Sequence, residues 1–405
     1  MKRKTKLTAL LLGVLMIVAF AMGCAPAAQE TDAAEPSVQP TTESQEPSES
    51  SQPSEAAQAS SGDTITVVDH TGEEVVVPKE INRIATLSIY PLPSVITMFL
   101  GSAEKIVGVH PVSMSAAESG VLSKLFPEFL DADTGYMQGD DLNIEALMEL
   151  KPDVVFYTAE NTAQKEMLDT AGIPAVGISA TAWDYDIIKT YDEWISVLSQ
   201  MFPEQDKTQL VSDYSQEVYD MIQERTANLA EEDKTRALFL FQYDDSAMIT
   251  SGKHFFGQYW ATAGGGVNVA EGMDELNSTA TIDMEQVYEW DPDIIYITNF
   301  TPTQPDDLYN NAIGGDDWSN VKAVKNENVH KMPLGSYRTY TPGTDTPLTL
   351  MWMAKTMYPD LFADIDMNQE VKDYYKEIYG VELTDEDVTS MFNPSSDAAG
   401  GFVTK

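Results

Sequence analysis

Imidazole and guanidinium groups, which could coordinate or polarise a ligand, are few in this 405-residue chain. Four histidines, His70, His110, His254 and His330, are the whole imidazole supply. None stands in an HxH or HExxH spacing, the arrangements that place two ring nitrogens on one metal. His110 and His254 fall on loops expected to face one another, where both could reach one bound metal or offer haem an axial ligand, with Met114 nearby. The competing reading is a pair of ordinary solvated or core histidines. Arg338 is the one arginine expected in those loops, since Arg3, Arg83, Arg225 and Arg236 lie elsewhere. So small a cationic supply, with Lys253 its only supplement, suits a ligand of low net charge. Aromatic residues crowd the same loops: Tyr90, Tyr136, Trp183, Tyr243 and Tyr340, with Phe255, Phe256, Tyr259, Trp260 and Tyr337 beside them. Flat rings suit a macrocycle or a catecholate-type chelate. Several of these are expected to be core instead, Phe256 and Trp260 first.

Signatures of catalysis are missing. The chain has no GxSxG elbow, no Walker A loop and no GxGxxG opening a helix; Gly264-Gly265-Gly266 reads as a turn that lets backbones approach closely. The single cysteine, Cys24, excludes an internal disulfide and any CxxC site. Binding without turnover is the expectation: no catalytic residues and no required cofactor.

What positions the loops is a unit that the chain contains twice. Asn143-Ile144-Glu145-Ala146-Leu147-Met148-Glu149-Leu150-Lys151-Pro152-Asp153 leads into Val154-Val155-Phe156-Tyr157-Thr158. Asp283-Met284-Glu285-Gln286-Val287-Tyr288-Glu289-Trp290-Asp291-Pro292-Asp293 leads into Ile294-Ile295-Tyr296-Ile297-Thr298. Each copy reads as a short helix, a proline stop and a buried strand, because proline cannot continue a helix and disfavours the α region in its predecessor. Two α/β units so far apart predict two similar lobes, and two lobes make a cleft. Around them strands and helices alternate. The predicted strands 64–69 and 74–77 form a hairpin, 83–87 and 105–109 follow, and a helix runs over 94–100. A long helical stretch from Asp186, broken near Phe202-Pro203, supplies a span of about 30 Å between the lobes. The expected organisation is a signal peptide over 1–23, a disordered tether over 24–62, an N-terminal α/β lobe over 63–205 and a linker helix over 206–230. A C-terminal α/β lobe then covers 231–365, with helices and a frayed tail over 366–405. The fold class is α/β: two Rossmann-like lobes with mostly parallel sheets, joined by one long helix.

The first sixty residues are a separate matter. Lys2, Arg3, Lys4 and Lys6 precede an apolar run from Leu7 to Ala21, which is signal-peptide length and short for a membrane span. It ends Ala21-Met22-Gly23-Cys24 and resembles a bacterial lipoprotein signal, although Ala21 stands where leucine is usual. That resemblance implies cleavage before Cys24 and its acylation. Residues 25–62 are Pro, Ser, Glu, Gln, Ala and Thr without Lys or Arg, a composition that cannot offset its own ordering entropy. The net charge of −41, from 24 basic against 65 acidic residues, excludes nucleic acid and argues against adhesion to anionic headgroups.

The body, roughly 64 to 365, resembles the substrate-binding lipoproteins of ABC importers, in the helix-linked class that serves iron–siderophore, haem and cobalamin uptake. The resemblance rests on the order and spacing of Arg83-Ile84-Ala85, Leu100-Gly101, Ile106-Val107-Gly108-Val109, Asn143-Ile144-Glu145 with Lys151-Pro152-Asp153, Ala171-Gly172-Ile173-Pro174, Gly264-Gly265-Gly266-Val267-Asn268 and Asp291-Pro292-Asp293. It implies an extracytoplasmic receptor, lipid-anchored at the outer face of the cytoplasmic membrane, that captures a metal chelate between its lobes. Fe(III)–siderophore is the first expectation; cobalamin, haem, an oxyanion such as molybdate, a directly bound metal ion, or a cell-surface enzyme on the same lobes stay open. It also implies that Glu145 and Glu285 dock into arginine pockets of a permease dimer, a two-fold partner matching two like lobes. Ordinary first-turn glutamates favoured by the helix dipole are the alternative. The expected partners are that permease, a small-molecule ligand and the membrane through its anchor alone, with the receptor a monomer. Ligand contacts are expected from Tyr90, His110, Tyr136, Trp183, Tyr243, His254, Arg338 and Tyr340.

Overall fold

β-Branched and aromatic runs become strands, and the computed structural model, which describes residues 63–402, gathers them into two principal sheets. The signal peptide, the whole tether with Cys24, and the last three residues lie outside the described residues. Thr64–Val68 (β1) and Glu74–Pro78 (β2) pair antiparallel, with Val68 opposite Glu74. Next come Ile84–Thr86 (β3), Ile106–Gly108 (β4), the small hairpin Met137–Gln138 (β5) and Asp141–Leu142 (β6), then Val154–Thr158 (β7) and Ala175–Ile178 (β8). The order β4-β3-β7-β8 is a four-stranded, fully parallel sheet. In the second half are Arg236–Tyr243 (β9), Met248–Thr250 (β10), Val267–Asn268 (β11), Ile294–Ile297 (β12) and Val329–Lys331 (β13). They order as β10-β9-β12-β13 with β11 also on β9, and β10 alone runs antiparallel. Both sheets thus share one plan, the first strand lying inside between its two successors. β12 is buried along its whole length, and so is β7 up to Tyr157, as strands covered on both faces must be.

The repeated unit folds alike in both halves. Asn143 accepts from the Ala146 amide at 3.1 Å and opens the helix Ile144–Glu149; Asp283 accepts from the Gln286 amide at 3.0 Å and opens Met284–Trp290. Both caps satisfy an amide that the first turn leaves unpaired. The residue before each proline is left-handed rather than extended, Lys151 with φ 48° and Asp291 with φ 42°. The pre-proline rule forbids the right-handed helix there, and the reversal is made through this less populated region instead. The aspartate after each proline then closes a reciprocal clamp on the neighbouring strand. The Asp153 amide donates to the Arg83 carbonyl at 2.8 Å while its carboxylate accepts from the Asn82 and Arg83 amides at 2.7 and 2.8 Å. The Asp293 amide donates to the Arg236 carbonyl at 2.8 Å and its carboxylate accepts from the Arg236 amide at 2.9 Å.

Between the sheets run Ile187–Met201 and Thr208–Thr226, the second about 28 Å long at helical rise. Val211, Ser215, Val218 and Ile222 give it one buried stripe, which packs on Ile187–Met201 and on Thr346–Met357 of the second half. Among the described residues no helix is long and apolar enough to cross a membrane. Helices Met367–Tyr379 and Asp385–Phe392 follow, the first burying Val371, Tyr374, Tyr375 and Ile378. The frayed tail expected from Asn393 onward is a correction: Ser396–Ala399 forms a 3-10 turn packed on helix Pro111–Ser119, with Ala398 and Ala399 fully enclosed. Small residues let this segment seat closely, and tertiary contact overrides its polar composition.

Candidate functional site

In open α/β sheets, ligands meet the loops beyond the carboxyl ends of the strands. Here those ends bring Tyr90 and His110 from the first lobe towards Phe241, Phe300 and Arg338 of the second. The Tyr90 ring lies 4.6 Å from the His110 ring, and its hydroxyl donates to Asp140 at 3.3 Å. Burial, and then the Asp140 charge, push the Tyr90 phenol well above its ordinary range. His110 is not in a loop running to Met114 as the sequence suggests; it caps helix Pro111–Ser119. Its Nδ1 accepts from the Val112 amide at 3.1 Å and its Nε2 donates to the Gly139 carbonyl at 2.9 Å. Both nitrogens are therefore committed, burial lowers the ring's pKa, and no lone pair is left for a metal. Among the described residues, no three His, Cys, Asp or Glu side chains converge to hold a metal ion.

Arg338, 1 % exposed, is the cation that the second lobe sets against the wall of Phe241 and Phe300. The loop carrying it is set from behind. Ser336 donates through its amide and hydroxyl to the Asp345 carboxylate at 2.8 and 2.9 Å, and Tyr375 donates to the other Asp345 oxygen at 2.5 Å. Any side chain at Gly335 would strike that carboxylate, since an added Cβ would stand 2.3 Å from it. Burial raises the Asp345 pKa. The neighbouring loop, which carries Phe300, is pinned by Lys331. Its Nζ donates to the carbonyls of Thr298, Thr301 and Thr303 at 2.9, 2.6 and 2.8 Å. Burial presses Lys331 down to about 7, whereas three acceptors call for the three N–H groups of an ammonium.

Among the described residues, Arg338 is paired with no carboxylate. Its Nη2 reaches Ser115 of the first lobe at 3.2 Å, its Nη1 meets the Tyr337 hydroxyl at 3.3 Å, and its guanidinium lies 5.1 Å from the Phe300 ring centre. Two further donors go to the C-terminal segment: Nε to the Ala398 carbonyl at 2.8 Å and Nη2 to the Gly400 carbonyl at 2.6 Å. Phe402 completes an aromatic cluster, 4.7 Å from Phe300, 6.2 Å from Phe241 and 6.0 Å from Tyr90. A cavity of about 110 Å³ remains beside Phe402, bordered by Gln242, Asp244, Ser246 and Thr301. Roomier grooves lie elsewhere, about 800 Å³ by Lys79, Lys105 and Phe202, and about 770 Å³ by Glu145, Met148 and Met167. The first faces away from the strand ends and gathers no coordinating cluster.

The other predicted contacts scatter. Tyr136 is fully buried and donates to the Thr86 carbonyl at 2.5 Å, packed where a Cβ on Gly108 would touch it. Tyr243 is core of the second lobe, bonded to Asp316 at 2.8 Å and accepting from Trp318 at 2.9 Å. Tyr340 stands behind the wall, its hydroxyl on Ser251 at 2.8 Å and its ring 5.6 Å from Phe241. Trp183 packs edge-on against His70 at 4.9 Å, within the first lobe. His254 is half-buried beside Leu276. Glu145 and Glu285 are both exposed in the first turns of their helices, away from this cluster. Sequence reasoning missed Ser115, Phe241 and the tail; the lone aromatic after Gly400-Gly401 was the available signal.

Residues 84–334 match the family model described as periplasmic binding protein. The chain is 27% identical over 334 residues to the molybdate-binding protein MolA of Haemophilus influenzae, covering 77% of this chain and 90% of that one. It is 27% identical over 241 residues to an iron-uptake system-binding protein of Bacillus subtilis, covering 56% and 69%. Among solved structures, a periplasmic solute-binding protein of Veillonella parvula superposes with a TM-score of 0.73 at 30% identity, covering 82% of this chain and 97% of that one.

Proposed function

The chain belongs to the periplasmic binding protein family, whose members hand solutes to ABC permeases, and on that premise we propose that it captures an iron chelate of low net charge between its lobes. One observation carries this reading: a buried arginine in an aromatic-walled cleft with no carboxylate partner, in a chain of net charge −41. An arginine so placed is ready for anionic oxygens, which it binds through several donors at once. Phe241, Phe300, Tyr337 and Tyr90 supply flat apolar surface around that one charge, as an aryl-oxygen chelate requires. A second reading, an oxyanion such as molybdate, is favoured by the similarity to the Haemophilus protein along 90% of its length. Neither reading involves turnover. Acylated Cys24 would tether the body outside the cytoplasmic membrane, and Glu145 and Glu285 would dock it on the permease.

Calorimetric titration of the mature protein with the monoanionic ferric bis-catecholate complex, haem, cobalamin and sodium molybdate tests the assignment. The ferric complex is expected to bind most tightly, and Arg338→Met to weaken that binding about a hundredfold, or ~2.7 kcal/mol. Tightest binding of molybdate would select the second reading. A panel that never binds, together with turnover of any substrate, would sink both.

A further inference from the structure

Four of the five N–H donors of Arg338 are taken up by this chain itself. Two of its four polar partners are carbonyls of one segment, Ala398 and Gly400, and the Gly400 carbonyl also accepts from Ser115 of the opposite lobe. A single backbone oxygen is thus held by both lobes at once. Next to it the Phe402 ring lies among Tyr90, Phe241, Phe300 and Arg338, drawing again on both lobes. Gly401, between them, has φ 78°, a backbone conformation that strains any other residue, and an added Cβ would stand tight at 3.0 Å from the Ser115 hydroxyl and 3.4 Å from the Val112 Cα. Partially negative oxygens at the guanidinium and a flat ring on the aromatic wall are the two features an aryl-oxygen anion would present.

We propose that Ser395–Phe402 is an intramolecular surrogate for the ligand: it occupies the cleft, holds the lobes together when no ligand is bound, and must leave for ligand to enter. The inference rests on the cleft reading above. A competitor carried on the same chain acts at high effective concentration, and the apparent affinity falls by the fraction of molecules whose cleft is free. Displacement also sets a threshold: neutral carbonyl acceptors lose to a true anion, since hydrogen bonds between charged groups are the stronger ones. Neutral solutes with the same ring would be excluded.

Three proteins test this: the mature chain, the same chain ending at Asn393, and Gly401→Val, whose β-branched side chain at a left-handed position is expected to unseat the segment without changing any cleft side chain. Sodium molybdate and the monoanionic ferric bis-catecholate complex serve as probes in calorimetry, with circular dichroism to certify folding. Both altered proteins are expected to bind the preferred probe about tenfold or more tightly than the mature chain. A synthetic peptide of residues 393–405 is expected to bind the shortened chain and to compete with the probe. Unchanged or weaker probe binding by folded Gly401→Val overturns the inference, and so does a peptide that fails to bind. A peptide that binds while neither probe binds any form supports the segment's seat in the cleft and sinks the anion-receptor reading instead.

Discussion

The outer ends and the cleft ends of the two lobes follow opposite rules. At the outer ends, where the repeated unit sits, the halves agree down to individual atoms: an Asn or Asp cap, a left-handed residue before proline, and an aspartate clamped on an arginine's backbone. At the cleft ends they share nothing. The first lobe offers Tyr90, Ser115 and a capped His110, while the second offers Arg338 on a wall of Phe241 and Phe300. The repeated part makes the scaffold and, on our reading, the symmetric face a two-fold partner meets. The divergent part makes a ligand site, and a ligand has no two-fold axis to match.

Substitutions can break or sharpen that contrast. The largest effect is expected from Glu145→Ala with Glu285→Ala: uptake through the reconstituted permease falls about a hundredfold or more, since removing one partner of an interfacial charge pair costs roughly 2–5 kcal/mol, while calorimetric affinity for ligand is unchanged. Symmetry further demands that the two single variants be equally impaired; strongly unequal singles would end the two-fold argument. Next comes Arg338→Met, expected to weaken ligand binding about a hundredfold, or ~2.7 kcal/mol, with no first-lobe substitution matching it. If Ser115→Ala did as much, the cleft would be shared evenly after all. A smaller difference separates the clamps. Asp153 serves two amides and Asp293 one, so Asp153→Ala should cost about 2 kcal/mol and Asp293→Ala about 1 kcal/mol by urea unfolding, at about 1 kcal/mol per hydrogen bond. The ion pair of Asp293 with Lys322 adds little, because the lysine is exposed.

The smallest effect concerns acid. Burial depresses the pKa of His110, so between that lowered value and 6.5 the unfolded chain binds a proton that the folded chain refuses. Stability is therefore full above about pH 6.5 and falls as the pH drops through this window. His110→Asn keeps a capping oxygen for the Val112 amide and should remove part of that loss, under about 1 kcal/mol, seen as a flatter profile of unfolding temperature between pH 5 and 7. His70 and His330, depressed in the same way, retain theirs.

Much of the scaffold was legible because its signals are local. Proline, aspartate and a β-branched run state a strand's start within a few residues, which is why β7 and β12 were placed from the text of the chain. The cleft was less legible. An aromatic residue at a strand's end has the same local pattern whether it faces ligand or core, and only the surrounding fold separates Tyr90 from Tyr136 or Tyr243. His110 illustrates a second limit: its neighbour Pro111 reads as a break but begins a helix, since the first helical position needs no amide. The tail was hidden for a third reason. Its composition is polar and small, and what orders it is a set of partners more than fifty residues away in sequence.

The Asp153 and Asp293 clamps also act as rulers. Each joins an amide and a carboxylate of one residue to the carbonyl and amide of another, so it fixes strand alignment without reference to which side chains are apolar. A sheet registered by hydrophobic pattern alone is free to slip by a residue whenever its sequence drifts; one measured from its end is not. Strand interiors can therefore be exchanged between distant relatives, provided Arg83 travels with Asp153 and Arg236 with Asp293. A chimera whose junction falls inside either pair would have to find its alignment again.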